Sequence, residues 1–226
     1  MLPKDHPSTL ISMNNLAIAY GKLNRHEESK KLFEEVLEAR KRVLPKDDPS
    51  TLTSMNNLAI TYGKLNRHEE SKKLYEEVLE AQNRVLPKDH PRTLQSMNKL
   101  AWLLATASDV RLQDPQRAVD LAAQAVEKSP TEWSFLQTLG VARYRNRDWM
   151  GAIADLEKSM SQGQAEDSDK AFFGFFLAMA QWQLGAKDKA REWNDKSVQW
   201  MEKSKKDDAE LKRFRAEAAA LLGQKK

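Results

Sequence analysis

The heptapeptide SMNNLAI occupies residues 12–18 and returns unchanged at 54–60, and a variant, SMNKLAW, stands at 96–102. The spacing is 42 residues both times, and residues 1–42 and 43–84 agree at 35 of their 42 positions. A third copy opens at Val85 as VLPKDHPRTLQSMNKLAWLLA and then diverges. Self-similarity at a period of roughly 20–50 residues marks a solenoid, in which each unit buries its apolar face only by stacking on its neighbours. The heptapeptide therefore decides the architecture: a solenoid of stacked units.

The second copy shows why each unit reads as two helices. Asp48 is a helix cap followed by Pro49 at the first helical position, where a missing N–H costs nothing. Met55, Leu58, Ala59 and Tyr62 then fall at i, i+3, i+4 and i+7, one apolar stripe. Gly63 and the polar KLNR are expected to end that helix. A second helix follows from about Glu69 with Leu74, Tyr75, Val78 and Leu79 on its inner face, and Glu69 and Lys73 are spaced for an exposed i, i+4 ion pair. VLPKD turns the chain into the next unit.

These residues resemble the tetratricopeptide repeat. Copy one supplies Met13, Leu16, Ala17, Tyr20, Ser29, Phe33 and Val36 at the pattern positions, and copy two supplies Met55, Leu58, Ala59, Tyr62, Ser71, Tyr75 and Val78. The 42-residue period, NNLA…YGK and the linker LPKDHP are similar to the kinesin-light-chain subtype. Ser29 and Ser71 depart from the usual alanine, and serine is small enough for the close helix contact to survive. Weaker copies continue with Met97, Leu100, Ala101, Ala118, Ala122 and Ala125, then Leu136, Leu139, Gly140, Ala152 and Leu156, then Leu177, Ala178 and Ala190. The resemblance implies an all-α fold, a right-handed α-solenoid of about five units (1–42, 43–84, 85–130, 131–166 and 167–204) in a single array over 1–226. A capping helix is expected from about Asp207 to Leu222, closed by Gly223, or 207–223. The latter half also looks like the repeat tails of large bacterial proteins, Ser/Thr kinases among them, although no Gly-rich loop, HRD or DFG is present.

Composition narrows the function. The chain has 37 basic and 33 acidic residues, net +4, with the signs interspersed, which gives no support to nucleic-acid binding. There are no cysteines, so disulfides and thiolate chemistry are excluded. No apolar run approaches the ~20 residues of a membrane span, and MLPKDHPSTL has no apolar signal core, so a soluble cytoplasmic protein is expected. His6 and His90 fall in the turns between repeats, and His26 and His68 share one slot a repeat apart. None has metal-ligand spacing or convergent partners. The pairs Glu27/Glu28, Glu34/Glu35 and Glu76/Glu77 read as solvated helix faces. No enzyme, cofactor or metal is expected.

On the helix carrying SMNNLAI, Met13, Leu16, Ala17 and Tyr20 span one arc, and Asn14, Asn15, Ile18 and Lys22 fall opposite. In a tetratricopeptide stack the first helix of each pair lines the concave groove. The resemblance thus implies a groove of Asn14, Asn15, Ile18 and Lys22, then Asn56, Asn57, Ile60 and Lys64, then Asn98, Lys99, Trp102 and Thr106. The asparagines would offer donor and acceptor to a partner's backbone, and the lysines would favour acidic groups. In kinesin-light-chain-type arrays groove asparagines hold peptide backbones, and Asn15 and Asn57 match them. A second stretch, residues 171–185, places Phe172, Phe175, Phe176, Met179 and Trp182 where a polar face belongs. They are either core beneath the cap or an open aromatic pocket. Trp133, Trp149, Trp193 and Trp200 read as core or repeat-interface residues. Two function classes follow. One is a non-catalytic scaffold binding a protein or peptide segment, with an acidic segment among the candidates. The other is a self-assembly module, or the detached regulatory tail of a signalling protein. Met1 stands where Val43 and Val85 stand in later copies, so the first helix is expected to offer an uncapped face for self-association.

Overall fold

The first helices of the three leading copies begin at a proline. The computed structural model, which describes residues 5–162, 165–204 and 208–223, places α1 at Pro7–Lys22, α3 at Pro49–Lys64 and α5 at Pro91–Thr106. The residue before each proline is extended, as proline requires, and its side chain caps the helix. Asp48 Oδ1 accepts from the Ser50 N–H at 2.8 Å, and His6 and His90 use Nδ1 to accept from Ser8 and Arg92 at 3.2 Å. Two of the four histidines are therefore caps.

The second helices are α2, His26–Val43, and α4, His68–Val85. The turn into them is made by Asn24 and Asn66, both at φ 58°, a left-handed conformation that asparagine tolerates. The first helix of copy two ends at Lys64, within the stretch Gly63 plus KLNR expected to end it. The ion pair at this turn joins Arg67 to Glu70 at 2.6 Å rather than Glu69 to Lys73. Inside each pair Ala17 and Phe33, and Ala59 and Tyr75, are buried. The serines at the alanine position do more than fit: Ser29 Oγ donates to the Ala17 carbonyl and Ser71 Oγ to the Ala59 carbonyl, both at 2.8 Å.

Stacking of one pair on the next uses a different stripe. Thr51, Ser54, Leu58 and Thr61 of α3 are buried, with Arg40 of α2 donating to Ser54 Oγ at 2.7 Å and to the Ser50 carbonyl. Tyr62 Oη donates to Glu34 of α2 at 2.8 Å. Burial, and then this bond to a carboxylate, push the Tyr62 phenol up to about 12 from an ordinary 10.0. The folded chain thus keeps a proton that the unfolded chain releases. The stability it adds is complete below pH 10 and is lost as pH rises towards 12. The alkaline fall in melting temperature is expected to be shallower in Tyr62→Phe, and an identical fall in both proteins would contradict the link.

The chain divides into two compact units, Met1–Gln113 and Asp114–Lys226, and the expected third repeat, 85–130, straddles that boundary. The first unit ends in a short 3-10 helix, Val110–Leu112. The second holds α6 (Pro115–Lys128), α7 (Trp133–Arg145), α8 (Trp149–Ser161), α9 (Asp167–Gln183), α10 (Lys187–Ser204) and α11 (Ala209–Leu221). Among the described residues every regular element is helical. Ala118, Ala122, Ala125, Leu136, Leu139, Ala152, Leu156, Leu177, Ala178 and Ala190 are all buried. Gly140 is required by contact: a Cβ there would stand 2.6 Å from Leu156 Cγ. Asp207, the expected start of the cap, and Met1 lie outside the described residues; α11 itself starts at Ala209, and Gly223 closes it at φ 68°.

The aromatic stretch in α9 is core. Phe175, Phe176 and Met179 are fully buried, and Phe172 and Trp182 are half-buried. Phe214 of α11 meets Phe172 at 5.7 Å and Phe176 at 4.8 Å between ring centroids. Arg145 of α7 lies over Phe176 and pairs with Glu217 of α11, its Nη2 2.7 Å from Oε2. Of the two readings, core or open pocket, the core reading fits Phe175, Phe176 and Met179, because α9 is packed against α8, α10 and α11.

Candidate partner-binding groove

Three rows of side chains are carried by α1, α3 and α5, all within the first unit. Asn15, Ile18 and Lys22 are exposed on α1; Ile60 and Lys64 are exposed on α3, with Asn57 half-buried beside them. On α5, Lys99 and Trp102 are half-buried. Two apolar side chains thus stand open at one register, Ile18 at 37% and Ile60 at 40% of full exposure, each flanked by an asparagine and a lysine.

Asn14, Asn56 and Asn98 depart from the expectation. Asn14 is buried, the other two are half-buried, and the side-chain oxygen of each is sealed from solvent without a hydrogen-bond partner. The cause is angular. At about 100° per residue Asn14 lies only about 60° from Ala17, on the flank of the helix rather than opposite the core. Asn56 shows what that flank does: its Nδ2 donates to Ser96 Oγ of α5 at 3.5 Å, a long bond between successive first helices. Thr106 is also buried and donates to the Trp102 carbonyl, so it is not a groove residue.

A cleft of about 340 Å³ opens beside Asn56, Asn57 and Lys99. Its remaining wall includes Gln82 of α4 and Arg92 and Ser96 of α5, which the sequence pattern did not single out. The available signal was the difference between Arg40 and Gln82 at matching positions of near-identical copies. Burial depresses the Lys99 ammonium below its ordinary range. Among the described residues no group of three or more His, Asp or Glu side chains is placed to hold a metal ion, and no helix is long and apolar enough to cross a membrane.

A tetratricopeptide-repeat family model matches residues 9–50 and 51–92. No curated protein matches the chain. Among solved structures, nearly identical TPR-like repeats assigned to a Podosopora anserina kinesin light chain superpose with a TM-score of 0.68 at 24% identity, covering 89% of this chain and 99% of that one. BtubC (BKLC) from P. vanneervenii gives 0.67 at 19% identity, over 87% of this chain and 81% of its own. A thermophilic TPR protein from Thermus thermophilus gives 0.64 at 19%, over 94% and 98%. These likenesses carry the fold, an α-solenoid of helix pairs. Residues 9–92 thus carry two 42-residue units that match the tetratricopeptide-repeat family, and the fold of the chain is similar to that of the kinesin-light-chain repeats.

Proposed function

We propose that this protein is a non-catalytic scaffold that holds a segment of a partner protein along α1, α3 and α5. The observation that carries the reading is the repetition of one open constellation, an asparagine, an isoleucine and a lysine, at Asn15/Ile18/Lys22 and Asn57/Ile60/Lys64. An extended segment presents backbone donors and acceptors at regular intervals, and an amide can serve both. The isoleucines offer apolar contact that a stable monomer has no need to leave open, and the lysines attract carboxylates.

The test is affinity capture with the intact chain and with a variant in which Asn15, Asn57 and Lys99 become alanine. Asn15 is exposed and the other two are half-buried, so the variant should fold, which circular dichroism checks. Specific partners that bind the intact chain should be lost with the variant. Equal recovery by both proteins would overturn the reading. Recovery of the chain alone would favour self-assembly, through the open stripe of Ser12, Leu16, Ala19 and Leu23 on α1.

A further inference from the structure

The two stacking interfaces of the first unit should be equivalent, since their sequences are nearly copies. They are not. Between α2 and α3 the space is filled by the Arg40 guanidinium, which donates to Ser54 Oγ and the Ser50 carbonyl. One repeat on, Gln82 stands in the place of Arg40. It is too short to follow the same path. Gln82 is 2% exposed, its Oε1 has no partner, and Ser96, the counterpart of Ser54, is left with only the 3.5 Å contact from Asn56. The cleft of about 340 Å³ is the space that results.

Charge has moved as well. Where the first interface has Ser50 and Asn57, the second has Arg92 and Lys99. Both side chains line the cleft, and neither meets a carboxylate among the described residues. The acidic residue of the lining, Asp47, is already held by Arg84 at 3.0 Å. A half-buried ammonium with no counter-ion among the described residues, beside a second cation and a serine hydroxyl, is a donor set in search of an anion, and Gln82, whose Oε1 is unpartnered, can turn its amide to present Nε2 as a further donor.

We propose that this cleft binds a carboxylate, supplied by an aspartate or glutamate side chain of the partner segment. The carboxylate accepts from Lys99 Nζ and the Arg92 guanidinium, with Ser96 Oγ and the amide of Gln82 completing its lone pairs. This deepens the groove reading and rests on it for the source of the carboxylate. Asn15 and Asn57 would then position the backbone, while the cleft would select for acid at one register.

The experiment is an NMR titration of the uniformly 15N-labelled full chain with acetyl-Glu-Glu-amide, acetyl-Gln-Gln-amide and glutarate. Saturable shifts at Gln82, Ser96 and Lys99 are expected with the first peptide and not with the second. Lys99→Asn, which installs the residue of the preceding interface, should weaken binding about tenfold or more, the scale of one charge-assisted hydrogen bond. The double variant Gln82→Arg/Lys99→Asn rebuilds the filled interface and should abolish it. Binding of both peptides alike, or binding that survives both variants, would overturn the proposal. Glutarate binding as tightly as the dipeptide with the same dependence on Lys99 would keep the carboxylate site and make a free dicarboxylate its ligand. Loss of partner capture when Asn15 and Asn57 alone become alanine, with Lys99 kept, together with no peptide response would remove only the cleft inference. A peptide response without loss of capture would remove only the ladder.

Discussion

Replacing Phe214 by alanine should lower the unfolding free energy by about 3–5 kcal/mol, the usual cost of deleting a fully buried aromatic ring. Phe214 has no solvent exposure and forms edge contacts with Phe172 and Phe176, at 5.7 and 4.8 Å between centroids. It sits in a stripe with Leu211, Ala218 and Leu222, the buried face by which α11 holds α9. The variant loses the transfer energy of the ring and leaves a cavity whose wall is other aromatic rings. Arg145, stacked over Phe176 and Phe214 while paired to Glu217, loses part of its packing too. Urea denaturation measures the cost. A dye that fluoresces on apolar surfaces should bind the variant below its unfolding midpoint, because loosening α11 uncovers Phe172 and Phe176. A cost under about 1 kcal/mol without dye binding would show that α11 is not what keeps α9 dry.

How far such features were legible in the sequence depended on whether their cause was local. The cap before Pro49 and the alanine register from Ala118 to Ala190 are local, and the helices lie where that chemistry puts them. The fate of the aromatic stretch was not local. Phe172, Phe175 and Phe176 read as core beneath the cap or as pocket, and only the packing of α10 and α11 decides between the two. The exposure of the candidate residues was legible in part: Asn15, Ile18, Lys22, Ile60 and Lys64 are open as expected. Asn14 and Asn56 were misplaced because dividing a helix into a core side and a far side ignores its flanks, and in a stack the flanks are covered by neighbouring helices. The cleft at Gln82 was hidden for another reason. A glutamine in a buried seam looks unremarkable until the arginine one repeat earlier shows which space it fails to fill.

Leu58→Ala should cost about 2–5 kcal/mol, while Leu16→Ala, made in an identical heptapeptide, should change stability by less than about 1 kcal/mol. Both leucines occupy the same repeat position, yet Leu58 is 3% exposed and Leu16 is 47% exposed. Leu58 belongs to the cluster that Phe33 and Leu37 of α2 share with Met55 and Val78. Among the described residues nothing covers the matching stripe of α1, where Ser12, Leu16, Ala19 and Leu23 are open, while Ser54, Leu58 and Thr61 of α3 are closed. The two helices differ in sequence only at Ile11/Thr53 and Ala19/Thr61 and in their caps, His6 and Asp48, all outside the substituted position, so the difference in cost reports mainly the energy of stacking one pair on the next. Alanine is also the better helix former, which offsets part of the loss at the open site. Urea titrations of the two variants, run at several protein concentrations, read the difference directly. Equal costs at every concentration would mean that Leu58 draws its stability from its own helix pair rather than from α2. A cost at Leu16 that grows with protein concentration would mean that the open stripe of α1 is closed in solution by a second chain, and that the stacking energy measured at Leu58 within one molecule acts between molecules at α1.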